Sequence, residues 1–114
     1  MNLPTVHMAI ALAFVVSLSA AFPAAAADDE FKLVIEEHKF QPAELVLPAG
    51  MKVKLVVENR DPTPEEFESH ALNREKVIAG KSTGTIFIGP LRAGRYPFIG
   101  EYNEKTAQGV IVVK

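Results

Sequence analysis

Residues 40–50 read Phe40-Gln41-Pro42-Ala43-Glu44-Leu45-Val46-Leu47-Pro48-Ala49-Gly50. Pro42 has no N–H group to donate to a sheet, so it separates the preceding segment from a short apolar strand at 44–47. The next residues form a tight turn, because Gly50 can adopt a positive φ. Residues 51–58 follow as another strand with alternating valine, leucine and lysine. Short strands framed by proline and glycine predict an all-β fold.

The same pattern continues on both sides of this segment. Further β-rich runs lie at 31–36, 83–88, 95–99 and 109–113. Tyr96, which follows Leu91-x-x-Gly94, predicts a tyrosine corner. Residues 71–78 fit a helix, a loop or a strand equally well. Short strands at regular spacing predict two packed sheets, a β-sandwich.

The first 27 residues are expected to be a secretion signal. Residues 8–21 form an almost unbroken apolar run, and alanines precede an acidic cluster that begins at Asp28. This pattern predicts cleavage after Ala27 and one domain spanning 28–114. The apolar run is shorter than a transmembrane helix requires. We therefore expect a periplasmic protein without a membrane anchor.

The composition excludes several classes of function. The chain has 114 residues, with 12 Lys and Arg, 14 Asp and Glu, and no cysteine. Because the formal net charge is −2, no basic surface for nucleic acid is expected. Lack of cysteine excludes a thiolate ligand or nucleophile. No arrangement of nucleophile, histidine and acid is apparent, so a hydrolase is not expected.

A polar segment reads Glu65-Glu66-Phe67-Glu68-Ser69-His70. Side chains two apart on a strand share a face, so Glu66, Glu68 and His70 form one row, with Phe67 on the other face. Carboxylate and imidazole groups are ligands for iron, copper and zinc. The row also fits a solvated edge strand, where charges oppose aggregation. Glu75 is expected to form a local ion pair with its basic sequence neighbours.

Two sets of residues in this chain resemble the cupredoxin domain. The first set is Phe40-x-Pro42-x-x-Leu45-x-Leu47-Pro48-Ala49-Gly50, Val53-x-Leu55 and Asn59-x-Asp61. The second set is Leu91-x-x-Gly94-x-Tyr96-x-Phe98 and Gly109-x-Ile111-x-Val113. The resemblance covers nearly all of residues 28–114. It implies a Greek-key β-sandwich of a kind that usually holds one copper ion.

The residues at the copper-ligand positions depart from that family. Blue-copper members take one His after the Asn-x-Asp turn, then Cys, His and usually Met from the loop after Tyr-x-Phe. Here the first position is Glu65 or Glu66, and the others are Gly100, Asn103 and, approximately, Ala107. The resemblance therefore implies no type 1 copper site, because that site depends on the Cu–Cys bond.

A narrower resemblance is carried by Glu66-Phe67-Glu68, Gly100-Glu101-Tyr102 and Arg74-Glu75-Lys76. These residues are similar to those of cupredoxin-like proteins of bacterial iron-uptake systems, which accompany an iron permease. In that group carboxylates replace the soft ligands. The resemblance implies a periplasmic protein that binds Fe(II), with copper sometimes involved, and it leaves open a ferroxidase-type activity.

Topology places the candidate ligands at one end of the sandwich. The turn at 48–50 reverses the chain, so His38 and the segment containing Glu66 are expected together, and the resemblance adds Glu101. Residues two apart on a strand are separated by about 6.8 Å, and residues four apart by about 13 Å. Glu66 and Glu68 can thus share one ion, whereas Glu66 and His70 cannot unless a bulge intervenes. The row therefore forms either two adjacent sites or one site that omits an end. We expect a site of Glu66, Glu68 and Glu101, completed by His38 or His70.

Three functional hypotheses follow. The leading one is an iron-uptake accessory protein that binds Fe(II), manganese or Cu(II), since hard oxygen ligands disfavour Cu(I). The second is a metal-free scaffold whose acidic row docks a basic partner. The third is a periplasmic copper carrier.

Overall fold

The computed structural model describes residues 1–5, 10–17 and 29–114. The predicted cleavage after Ala27, and the domain boundary that it sets, lie outside the described residues. Among the described residues, no helix has the length and apolar character needed to cross a membrane.

Within residues 29–114, nine strands form two sheets. They are β1 (Asp29–Glu36), β2 (Lys39–Gln41), β3 (Glu44–Leu47), β4 (Val53–Asn59), β5 (Glu65–Ser69), β6 (Arg74–Ile78), β7 (Ser82–Ile88), β8 (Gly94–Gly100) and β9 (Gln108–Val113). The sheet orders are β2-β1-β4-β7 and β3-β9-β8-β5-β6. Strand β1 pairs in parallel with β4, and β3 with β9, so long connections bring neighbouring strands together. The predicted all-β Greek-key sandwich is confirmed.

Two short strands refine the expected element pattern. Residues 39–41 form β2 because a two-residue loop, Glu37 and His38, returns the chain onto β1. Both loop residues have positive φ, 53° and 56°, a conformation that matches the twist of paired strands. Residues 71–78 resolve into a turn followed by β6, which pairs with β5 in antiparallel register.

Three phenylalanines close the core beneath the end of the sandwich where β5 begins. Phe40, Phe67 and Phe98 are buried. The ring centroids of Phe40 and Phe98 are 4.9 Å apart, and those of Phe67 and Phe98 are 5.0 Å apart. This packing fixes which face of β5 points inward, since Phe67 can occupy the core in only one register. At the opposite end of β8, the Tyr96 hydroxyl donates to the carbonyl oxygen of Arg92 at 2.8 Å, which confirms the predicted tyrosine corner.

Buried polar side chains fix the loop between β4 and β5. The Asn59 amide donates to the carbonyl oxygens of Thr63 at 2.8 Å and Ile78 at 3.2 Å. The Asp61 carboxylate accepts the backbone N–H groups of Glu37 at 2.8 Å and His38 at 3.0 Å. Although burial acts in the opposite direction, these donors lower the pKa of Asp61 below its ordinary value. The β1–β2 turn and the start of β5 are thereby held at the same end of the sandwich.

Candidate metal centre

Strand β5 divides its carboxylates between the two faces of the second sheet. Phe67 is fully buried in the core, and Glu65, at 1% exposure, lies on the same face. Glu66 and Glu68 are one residue out of phase and lie on the other face, between β6 and β8. The predicted alternation of Phe67 against the two glutamates is confirmed.

The outward carboxylates meet Glu101, which begins a single 3₁₀ turn, Glu101–Asn103, directly after β8. One carboxylate oxygen from each of Glu66, Glu68 and Glu101 lies within 4.8 Å of the others. We call these three side chains the carboxylate triad. Oxygen ligands at about 2.0–2.6 Å from a central cation are compatible with this separation. The structure thus brings together the three predicted carboxylates, while their role as ligands stays a prediction.

Crowding of like charges favours protonation of Glu66 and Glu68. A hydrogen bond with Glu75, desolvation, and the nearby Glu101 raise the pKa of Glu66 to about 7. A hydrogen bond with Glu101, together with desolvation, raises the pKa of Glu68. The cluster therefore binds a proton more tightly than isolated carboxylates do, and a metal cation can take over the charge-neutralising role of that proton.

Glu75 is the fourth carboxylate of this surface, and its position corrects the expected pairing with basic sequence neighbours. It stands opposite Glu68 in the β5–β6 register, and its carboxyl group is the largest cause of the raised pKa of Glu66. Arg74 and Lys76 project to the other face of β6, since adjacent residues alternate. Residues 74–78 pair with β5 as an antiparallel strand, and this pairing places Glu75 beside the triad. A strand assignment for these residues would have been the sequence signal for this position.

The two candidate histidines lie at the margins of the triad. His70 Nε2 is 3.5 Å from Glu68 Oε1, and its side chain is 93% exposed. His38 Nδ1 is 3.5 Å from Asp61 Oδ2. His38 also lines, together with Glu101, an open cavity of about 470 Å³. The structure therefore holds His70 beside one triad member and His38 against Asp61, and a ligand role for either stays a prediction.

Tyr102 is the aromatic neighbour of the triad. Its side chain is 53% exposed. Desolvation, followed by the charges of Glu66, Glu101 and Glu65, raises the pKa of the Tyr102 hydroxyl. The chain contains two tyrosines and no tryptophan. Tyr102 fluorescence is therefore a natural reporter for metal binding at the triad.

The residues at the family's copper-ligand positions contact one another directly. Asn103 Nδ2 donates to Glu65 Oε2 at 2.6 Å. A Cβ atom on Gly100 would lie 2.7 Å from Glu65 Cδ and 2.6 Å from Ala107 Cβ. Glu65, rather than Glu66, is therefore the residue that meets Gly100 and Asn103, while Ala107 lies against Gly100. With no thiolate or imidazole among them, these side chains do not fit a type 1 copper ion.

Comparison with known proteins agrees with this architecture. The model of the cupredoxin-like domain family matches residues 6–113. An uncharacterized protein of Rickettsia prowazekii (strain Madrid E) is 42% identical over 84 residues, which cover 74% of this chain and 67% of the relative. The chain thus spans about two thirds of that relative's length.

Two solved structures show the same fold at low sequence identity. Auracyanin A, a "blue" copper protein from Chloroflexus aurantiacus, aligns with a TM-score of 0.64 and 18% identity over 77% of this chain and 100% of its own. The metal-binding domain of the Cu(I)-exporting P-type ATPase CopA of Streptococcus pneumoniae D39 aligns with a TM-score of 0.66 and 18% identity, covering 75% of this chain and 84% of its own. From the family match and the sandwich architecture, we conclude that the chain belongs to the cupredoxin-like domain family.

Proposed function

We propose that this protein binds a hard metal cation, iron or Cu(II), at Glu66, Glu68 and Glu101, and that it serves as a periplasmic accessory of an iron-uptake system. The observation that carries the proposal is the convergence of three carboxylates, from β5 and from the turn after β8, to within 4.8 Å of one another. Such an arrangement is repulsive unless a proton or a cation neutralises it.

The location of the triad supports a site rather than a solvated acidic edge. Glu66 is only 7% exposed and the Glu68 side chain is 17% exposed, whereas Glu101 covers them from an exposed position. The interaction with Glu75, followed by desolvation and by the nearby Glu101, raises the pKa of Glu66. Binding of a divalent cation would compete with protonation of the triad and convert the repulsion into attraction.

The donor set limits the choice of metal. Three carboxylates with a neighbouring imidazole and no sulfur favour iron, manganese or Cu(II) over Cu(I). Anionic oxygen ligands stabilise Fe(III) relative to Fe(II), which assists oxidation of bound Fe(II). Such a step would transfer one electron from each Fe(II) to a bound Cu(II) ion or to a redox partner. Cu(II) itself is compatible with the donor set and with the copper proteins among the similar structures.

The iron-uptake role extends the site proposal to a cellular context. It is supported by the resemblance of Glu66-Phe67-Glu68 and Gly100-Glu101-Tyr102 to the proteins that accompany iron permeases. The apolar run at 8–21 before the domain supports export to the periplasm. An iron permease is accordingly the proposed partner.

The direct test is metal titration of the metal-free protein. Fe(II) under anaerobic conditions, Mn(II) and Cu(II) are added in separate titrations, followed by calorimetry and by tyrosine fluorescence. We expect one ion per chain and at least about a hundredfold loss of affinity in Glu66→Gln plus Glu68→Gln, since two charged ligands are removed. The matched control is Glu44→Gln plus Glu104→Gln, which makes the same charge change at exposed positions.

A docking role for the acidic surface predicts a different pattern. Docking of a basic partner depends on charge rather than on ligand geometry. Iron uptake by cells that tolerates Glu68→Gln but not Glu68→Lys would favour docking. Loss of uptake in both variants, together with loss of metal binding, supports ligation.

A further inference from the structure

Glu65 is a buried carboxylate that the proposed metal shell does not use. It is 1% exposed and lies on the inward face of β5, opposite to Glu66 and Glu68. A buried carboxylate is costly unless hydrogen-bond donors surround it. Its donors therefore indicate what the residue does.

Those donors come from both segments that supply the triad. Glu65 Oε1 accepts the backbone N–H of Glu66 at 3.0 Å and that of Tyr102 at 2.9 Å. Glu65 Oε2 accepts the Asn103 amide at 2.6 Å. One side chain thus ties the start of β5 to the turn that carries Glu101.

Gly100 provides the space that this contact requires. A Cβ atom there would lie 2.7 Å from Glu65 Cδ and 3.0 Å from Glu65 Oε1. The backbone N–H of Gly100 donates to the Ala107 carbonyl oxygen at 2.8 Å, and this bond closes the loop around the Glu65 carboxylate. The glycine is needed here for close approach rather than for an unusual φ.

We propose that Glu65 is the positioning residue of the metal site, whose buried carboxylate sets the distance of Glu101 from Glu66. Glu66 directly follows Glu65, and Glu101 directly precedes Tyr102. The two N–H groups bound by Glu65 Oε1 therefore belong to a ligand residue and to the neighbour of another. This inference rests on the proposed metal binding.

A direct ligand role for Glu65 is disfavoured by its surroundings. Its two oxygens already accept three hydrogen bonds. Its side chain also points to the core face of the sheet, whereas the triad lies on the outer face. Glu65 therefore acts on a bound cation through the residues that it holds in place.

A reversal of hydrogen-bond polarity tests this role. Glu65→Gln keeps the size of the side chain but places an amide NH₂ against the Asn103 NH₂ group. Asn103→Asp instead places two carboxylates against each other. The double variant lets Gln at 65 donate to Asp at 103, so it restores the hydrogen bond and the net charge of the pair.

The readout is Cu(II) affinity by competition titration, with the Cu(II) EPR spectrum recorded for each variant. We expect about a tenfold to hundredfold loss in each single variant and recovery to within about threefold of wild type in the double variant. Glu104→Gln, an exposed carboxylate of the same loop, is the control and should leave affinity and spectrum unchanged. Wild-type Cu(II) affinity in the single variants would overturn the inference. So would a loss of binding free energy in the double variant that equals the sum of the losses in the two single variants.

Hydrogen exchange of the Tyr102 amide in the metal-free protein separates this inference from the proposed function. Faster exchange in Glu65→Gln, reversed in the double variant, supports the positioning role. If wild type binds no metal, the proposed function fails. In that case, unchanged Tyr102 exchange in Glu65→Gln would also reject the role of Glu65, whereas faster exchange would retain it as the residue that orders the turn.

Discussion

Glu65 and Glu66 are adjacent in sequence, yet the sheet gives them opposite electrostatic surroundings. The inward Glu65 accepts hydrogen bonds from Glu66 N, Tyr102 N and Asn103 Nδ2. The outward Glu66 faces other carboxylates, above all Glu75 and Glu101. A satisfied buried carboxylate stabilises structure, whereas a carboxylate crowded by like charges is suited to bind a cation. The alternation of side chains along β5 therefore places one glutamate where it stabilises the structure and the next where it can bind a cation.

The largest expected difference between Glu65 and Glu66 lies in their contributions to the free energy of unfolding. Glu65→Ala leaves the Tyr102 N–H and the Asn103 amide without their acceptor, so we expect a loss of about 3 kcal/mol in the free energy of unfolding. Glu66→Ala removes a repelled charge and should leave the unfolding midpoint unchanged or raise it. Urea denaturation of both metal-free variants at pH 7 measures the difference. Equal losses in the two variants would contradict the assignment.

The Gly100→Ala variant tests the close contact between Gly100 and the buried Glu65 carboxylate. The added methyl group would overlap Glu65 Cδ at 2.7 Å and Ala107 Cβ at 2.6 Å. We expect a destabilisation of about 1–3 kcal/mol, as is typical of overpacking. Gly50→Ala is not a suitable control, because φ at Gly50 is +75°. Thermal unfolding should instead be compared with Gly94→Ala, whose added Cβ atom would lie no closer than 3.6 Å to its nearest neighbour, Tyr96 Cε2.

The pH dependence of stability should report the crowding of carboxylates on the outer face of β5. Because the folded protein raises the pKa of Glu66 from its ordinary value of 4.5 to about 7, the folded state binds the proton more tightly than the unfolded state. The associated stability is fully present below pH 4.5 and is lost as the pH rises through 7. Urea midpoints in the presence of a chelator should therefore fall across this window.

Glu66→Gln should flatten that slope, because the amide does not titrate. Glu68 acts in the same direction as Glu66, so part of the slope should remain. Asp61 acts in the opposite direction at lower pH, because its pKa is lowered in the folded protein. A wild-type midpoint that rises between pH 5 and pH 7 would contradict the proposed crowding of the triad.

The histidines should have the smallest effects. His70 contacts Glu68 at 3.5 Å from an exposed position, so His70→Ala should weaken Cu(II) binding by about tenfold or less. His38 is held against Asp61 and should matter less for affinity, so His38→Ala is the matched comparison. A larger loss in His38→Ala than in His70→Ala would assign the neighbouring imidazole to His38 instead.

The strand pattern predicted the sandwich because short alternating apolar runs and proline turns act locally. The convergence of Glu66, Glu68 and Glu101 was also accessible, through strand direction and through the family resemblance. Strands β2 and β6 were not accessible from the sequence. The pairing of β2 depends on the loop at Glu37 and His38, and the pairing of β6 depends on the register of β5. Without that register Glu75 could not be placed opposite Glu68.

The role of Glu65 was also hidden from the sequence. Glu65 and Glu66 are chemically identical, and both stand near the first copper-ligand position of the family. Only the packed structure shows that Glu65 meets Gly100 and Asn103 while Glu66 meets Glu68 and Glu101. Long-range contacts of this kind depend on the packing of two loops, which sequence periodicity does not encode.

The most direct measurement is the stoichiometry and affinity of Fe(II) and Cu(II) for metal-free protein, in wild type and in Glu66→Gln plus Glu68→Gln. We predict one ion per chain in wild type, quenching of Tyr102 fluorescence on binding, and at least about a hundredfold weaker binding in the double variant. Wild-type affinity in the double variant, an equal loss in the Glu44→Gln plus Glu104→Gln control, or no binding of either ion by wild type would contradict the assignment of a metal site.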